Sequence, residues 1–113
     1  MDKVRQQREE AQKHNLRLIS YEGGQHMVGV YEWANNPDLT RLLMGANRDQ
    51  RMRDLYLAYL KAWQEAGGSL FVHFQDISAY NKHGSWGLRE WQDELSPKAE
   101  GLLEYWESRS GAP

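Results

Sequence analysis

A chain of 113 residues with a formal net charge of −2 has room for one ordinary domain, and its acids and bases are interspersed rather than gathered into a face that would neutralise a phosphate backbone, so nucleic acid is not an expected partner. No run approaches the roughly 18 apolar residues of a membrane span and the first residues are charged, so neither a membrane partner nor a signal peptide is expected and the chain reads as soluble. With no cysteine, disulfides and thiolate metal sites are excluded and the compartment cannot be read from redox chemistry.

In chain order, residues 2 to 14 are rich in Gln, Glu, Lys and Arg, with only Val4 and Ala11 as an apolar stripe, which predicts a weakly anchored surface helix. Leu16 to Tyr21 is short, apolar and β-favouring, broken only by Arg17 and Ser20, the pattern of a strand covered on both faces; Gly23-Gly24 stops it. Beyond a loop containing Trp33, Asn36 and Pro37 offer an N-cap and a first helical position, and Leu39, Leu42 and Leu43 give one apolar face before Gly45, so a brief helix is expected. The clearest element runs from about Asp49 to Ala66. There Met52, Leu55, Tyr56, Tyr59, Leu60 and Trp63 recur at the spacing of one buried helical face, and Leu55, Tyr59 and Trp63 are expected to pack on the strands. Gly67-Gly68 supplies a left-handed stop. Leu70 to Phe74 reads as a second buried strand, followed from Gln75 to Gly87 by a loop whose polar and aromatic residues point to function. Trp91 falls near a short helical turn, and Ser96-Pro97 opens a last helix with Leu102, Leu103 and Trp106 inward.

The fold class is therefore α/β, in the order α-β-α-β-α. Two apolar strands separated by a full helix cannot form a hairpin, so they are expected to lie parallel through a right-handed crossover. Residues 1–113 then form a single partial domain, because two parallel strands leave both outer edges unpaired; either a missing part of the chain or other copies of it must complete the sheet.

Tyr21-Glu22-Gly23-Gly24-Gln25-His26, then Gly67-Gly68-Ser69-Leu70-Phe71-Val72-His73-Phe74, then Gly84-Ser85-Trp86-Gly87, together resemble the last quarter of bacterial cellulase-like and arabinofuranosidase-like glycoside hydrolases of the large retaining (β/α)₈ clan. The resemblance runs from about Leu16 to Trp106. It implies a partial (β/α) barrel, Glu22 at the nucleophile position after one strand, and Trp86 as the aromatic floor of a sugar subsite. Relatives of this type are usually secreted. A retaining glycosidase needs two carboxyl groups about 5 to 5.5 Å apart, and the clan's acid/base carboxylate belongs to an earlier strand that this chain does not contain.

Barrel sites sit at the C-terminal face of the strands, which places Glu22, His26, Gln75, Asp76 and the loop through Tyr80 to Trp86 on one rim. His26 is a candidate hydrogen-bond donor to a sugar hydroxyl or an incidental loop histidine, and Asp76 a candidate acid or a loop cap. His73, between Val72 and Phe74, reads as a satisfied core histidine. The histidines and acids lack metal-ligand spacing, so neither metal nor cofactor is expected. Three functions follow: a glycoside-hydrolase segment whose second carboxylate comes from elsewhere, a non-catalytic carbohydrate-binding module stacking sugars on Trp86, Trp33 and Tyr80, or an assembly protein using these aromatics as interface anchors. A carbohydrate and further copies of the chain are the expected partners.

Overall fold

The computed structural model describes residues 1–110 and shows, among them, a mixed α/β chain of four helices and one two-stranded parallel sheet. Helix α1 (Asp2–Lys13) has no buried residue, as its single thin stripe foretells. It is followed by strand β1 (Leu18–Gly23), a 3₁₀ turn at Tyr31–Trp33, helix α2 (Pro37–Arg48), helix α3 (Arg51–Glu65), strand β2 (Gly68–His73) and helix α4 (Pro97–Ser110).

Local chemistry sets the helix ends. The Asn36 side chain accepts from the amides of Asp38 (3.0 Å) and Leu39 (2.9 Å), satisfying two orphan donors just after Pro37. From that start α2 runs through Gly45 to Arg48, twelve residues rather than a brief helix, because one glycine weakens a helix without stopping it. At the other end of α3, Gly67 has φ +90°, the expected left-handed stop. Ser96 caps α4 through its hydroxyl, which accepts from the Ala99 amide at 3.1 Å.

Helix α3 is the centre of the core. Met52, Tyr56, Leu60 and Trp63 are buried, whereas Leu55 is 60% exposed. The periodicity offered two adjacent apolar stripes, and packing against α4 and the sheet selected the one through Tyr56 and Leu60 and left Leu55 in solvent. Helix α4 departs in the same way: Leu102 is half-buried, but Leu103 is exposed and Trp106 is 67% exposed, so neither of those two points inward.

The strands pair in parallel, with Leu18 opposite Gly68, Ser20 opposite Phe71 and Gly23 opposite His73. Each strand carries one extra residue between these partners. Such a slip breaks the period-two alternation locally, which is why Ser69 and Leu70 are exposed in succession, as are Tyr21 and Glu22. Neither strand is covered on both faces. Leu18, Ser20, Phe71 and His73 form the less exposed face, with the Phe71 ring 5.4 Å from that of Tyr59 and 5.9 Å from that of Trp63. Ile19, Tyr21, Leu70 and Val72 are exposed on the opposite face.

The shape reflects this half-covered sheet. The radius of gyration is 15.8 Å and the shortest dimension 20 Å, against about 13 Å for the gyration radius of a compact chain this long. The molecule is a slab with a core on one side of its sheet.

Candidate functional site

The C-terminal ends of the two strands open into a concavity of about 260 Å³ lined by Glu22, Gly23, Gly24, Gln25, His26, Tyr59, Phe74 and Trp86. Its first wall comes from β1. The extra residue before Gly23 turns Glu22 out of the strand's alternation into solvent. Gly23 itself lies against Phe71: a Cβ there would come 2.4 Å from the ring, so the close approach requires glycine. Among the described residues the Glu22 carboxylate has no hydrogen bond or ion pair, leaving its oxygens free for a ligand.

The second wall is Trp86. The segment after β2 folds back as a short ribbon: the Gln75 amide donates to the Trp86 carbonyl (3.0 Å), the Leu88 amide to the Gln75 carbonyl (2.8 Å) and the Arg89 amide to the Asp76 carbonyl (3.1 Å). This returns Trp86 to the end of β2, 6.3 Å from the Phe74 ring. The indole N–H donates to the His83 carbonyl at 2.9 Å. Gly84, at φ +133°, makes the turn; a side chain there would press on the indole, with Cβ 2.2 Å from its nearest atom. The His26 ring stands edge-on to Trp86, with centroids 4.7 Å apart, so Glu22, His26 and Trp86 are brought together.

Beneath them runs a chain of polar contacts whose proton positions follow from the acceptors. The Gln75 carbonyl can only accept, so His73 Nδ1 at 3.0 Å carries the proton, and Nε2 accepts from the Tyr56 hydroxyl at 2.9 Å. The Tyr56 oxygen in turn receives the Gln25 amide at 3.4 Å. Burial lowers the pKa of His73, partly opposed by the Gln75 carbonyl, and favours the neutral ring this arrangement needs. Burial also pushes the Tyr56 phenol up to about 12, keeping it protonated as a donor. His73 is thus hydrogen-bonded at both ring nitrogens, as expected of a satisfied histidine, but it is half-buried at the edge of the core and not inside it. Tyr59, which periodicity assigned to the core alone, also lines the concavity; burial raises its pKa against a contact from the Gly24 amide. No sequence signal separates it from its buried helical neighbours.

Three of the expected rim residues have other roles. Tyr80 is 5% exposed, its hydroxyl donates to the Gly87 carbonyl (3.2 Å), and the Lys98 ammonium sits 4.4 Å from its ring centroid. A ring so enclosed cannot stack a sugar. Asp76 pairs with Arg89 at 3.2 Å, as a loop-bracing carboxylate. Gln75 acts through its backbone at the ribbon, and its side chain does not line the concavity. Trp33, on the 3₁₀ turn, is exposed but is not among the lining residues.

Glu22 is the only carboxylate in the lining, so the described residues supply one acid where double displacement at a sugar needs two. The arrangement can bind a small polar ligand with an apolar face against Trp86, with Glu22 and His26 available to its hydroxyl groups. Among the described residues no three His, Asp or Glu side chains gather to hold a metal, and no helix is long and apolar enough to cross a membrane. Compared with known proteins, the chain matches no family model, no curated protein and no solved structure.

Proposed function

We propose that the chain is a carbohydrate-active segment of glycoside-hydrolase type, in which Glu22 is the nucleophile-type carboxylate and Trp86 the platform for a sugar ring. The observation that carries this reading is the joint placement of an unpaired carboxylate and an aromatic wall in one concavity at the C-terminal ends of parallel strands. Its volume lies below the roughly 300–1,000 Å³ of sites for drug-sized ligands, which suits one sugar ring more than an oligosaccharide.

Turnover requires a second carboxyl group from the polypeptide that completes the sheet. A second copy of this chain is the proposed occupant: both sheet edges are open, neither strand contains proline, Glu22 is their one acidic residue, and the outer face offers Ile19, Tyr21, Leu70 and Val72. Strands from further copies extend the sheet toward a closed (β/α) barrel and bring additional carboxylates to the same rim.

Calorimetric titration with cellopentaose and with arabinoxylan oligosaccharides, alongside release of reducing sugar, tests the reading. Wild-type protein should bind one of these probes, Trp86→Ala should lose about five- to tenfold in affinity, on the order of the 1–1.5 kcal/mol carried by an aromatic contact, and Glu22→Gln should keep binding while abolishing any hydrolysis. Absence of binding to both probes sinks the sugar reading. Light scattering at micromolar concentration tests the partner: a mass of one chain with a cooperative thermal transition rejects the second copy.

A further inference from the structure

We propose that Lys98 is a positioning residue for this site, its buried ammonium clamping the Ser85 carbonyl and so fixing the turn that holds Trp86 opposite Glu22; the role assigned to Trp86 rests on the sugar-site reading. Lys98 and Ser85 are 0% and 2% exposed, and the ammonium donates to the Ser85 carbonyl at 2.8 Å. That same oxygen accepts the Gln25 side-chain amide at 2.7 Å. A carbonyl oxygen has two lone pairs, and here both are used, one by a donor from the loop after β1 and one by a donor from the first turn of α4. Two distant parts of the chain therefore converge on a single atom.

The position of that atom gives the clamp its consequence. Ser85 directly precedes Trp86, whose carbonyl receives the Gln75 amide and whose indole N–H reaches back to His83. Gln25 directly precedes His26, whose ring abuts Trp86. Holding the Ser85 carbonyl thus sets the register of both walls at once. The surroundings of Lys98 are built for a cation: the Tyr80 ring face is 4.4 Å away, and Glu90 and Glu94 lie within electrostatic reach, with Glu90 also paired to Arg48 through two hydrogen bonds of 2.7 and 2.8 Å. An apolar side chain of similar length would fill the space, yet it would leave the Ser85 carbonyl with one partner and Glu90 with Arg48 alone as counter-charge. On the opposite side, the His73 ring lies within electrostatic reach of the ammonium.

Fluorine NMR of full-length protein labelled with 5-fluorotryptophan, with the Trp86 resonance assigned by Trp86→Phe, provides a readout independent of any sugar. In a folded Lys98→Met variant the Trp86 resonance should shift and broaden while that of Trp33 stays in place, and affinity for the oligosaccharide bound by wild type should fall about tenfold. A Trp86 resonance unchanged in position and width overturns the proposal. Should wild-type protein bind neither cellopentaose nor arabinoxylan oligosaccharides, the sugar reading fails while the resonance still decides the clamp. Where Lys98→Met does not fold, wild-type protein decides it instead. Burial pushes the Lys98 ammonium down to about 8, opposed by Glu90 and Glu94, so the Trp86 resonance should move as pH rises from 7 to the ordinary lysine value of about 10.4, and a flat response across that whole interval overturns the clamp.

Discussion

The two faces of the sheet are built from similar side chains and have different fates. On one, Leu18, Ser20, Phe71 and His73 are half-buried, and the Phe71 ring meets Tyr59 and Trp63 of α3 at 5.4 and 5.9 Å. On the other, Ile19 is 50%, Leu70 55% and Tyr21 84% exposed. Apolar character alone therefore does not identify a buried face. Burial needs an opposing element, and this chain supplies one on a single side, since α3 and α4 pack against each other and α1 brings no buried residue of its own. The covered face also carries a polar relay, from His73 to Tyr56 and Gln25, that ends beneath the Glu22–Trp86 concavity.

Substitutions on the two faces break this comparison most directly. Phe71→Ala removes a ring held between two aromatic neighbours and should cost about 3 kcal/mol in urea unfolding; a cost below about 1 kcal/mol would mean that the covered face is not a core. Tyr56→Phe keeps the ring but strips His73 Nε2 of its donor and the Gln25 amide of its acceptor, with an expected loss of about 1–2 kcal/mol, readable as a lowered denaturation midpoint. Acidification probes the same relay. Because the folded-state pKa of His73 is depressed below its ordinary value of 6.5, the unfolded chain takes up a proton first as pH falls, and the native state loses stability from about pH 6.5 downward until the folded histidine itself titrates. The urea midpoint should therefore fall between pH 7.5 and 5.5, and the part of that fall due to this group should vanish in His73→Gln. An identical pH slope in both proteins would show that the half-buried ring is not responsible.

The smallest effect is expected on the open face. In dilute protein Tyr21→Ala should change stability by less than about 0.5 kcal/mol, as is usual at an exposed position. If copies associate through this face, the same substitution should lower the melting temperature increasingly as protein concentration rises, because association stabilises the folded state by mass action. A large loss in dilute, monomeric protein would show that the face is covered within one chain.

Much of the architecture is legible from residues near one another in sequence, because caps, stops and periodicity act over a single helical turn or strand. Asn36-Pro37, Gly67 and Ser96-Pro97 mark their helix ends, the long apolar stripe marks α3, and the full helix between two apolar runs compels parallel pairing. Glu22 and Trp86, expected on one rim, do share one concavity, Glu22 from the last residues of β1 and Trp86 by the return of its loop to the end of β2. The remainder depends on atoms far apart in the chain. Which stripe of α3 is buried was decided by the arrival of α4, so that Tyr56 went inside and Leu55 stayed out. The extra residue in each strand arose from pairing, and only pairing sets Glu22 out of alternation. Tyr80, a sugar platform by position, became a buried pillar because Lys98, eighteen residues on, brought its ammonium to the ring. Sequence by itself determined the elements and their order, for their causes lie within a few residues; the tertiary structure alone decided which aromatic lines the concavity and which supports the core, for that choice depends on which distant side chains pack against each ring.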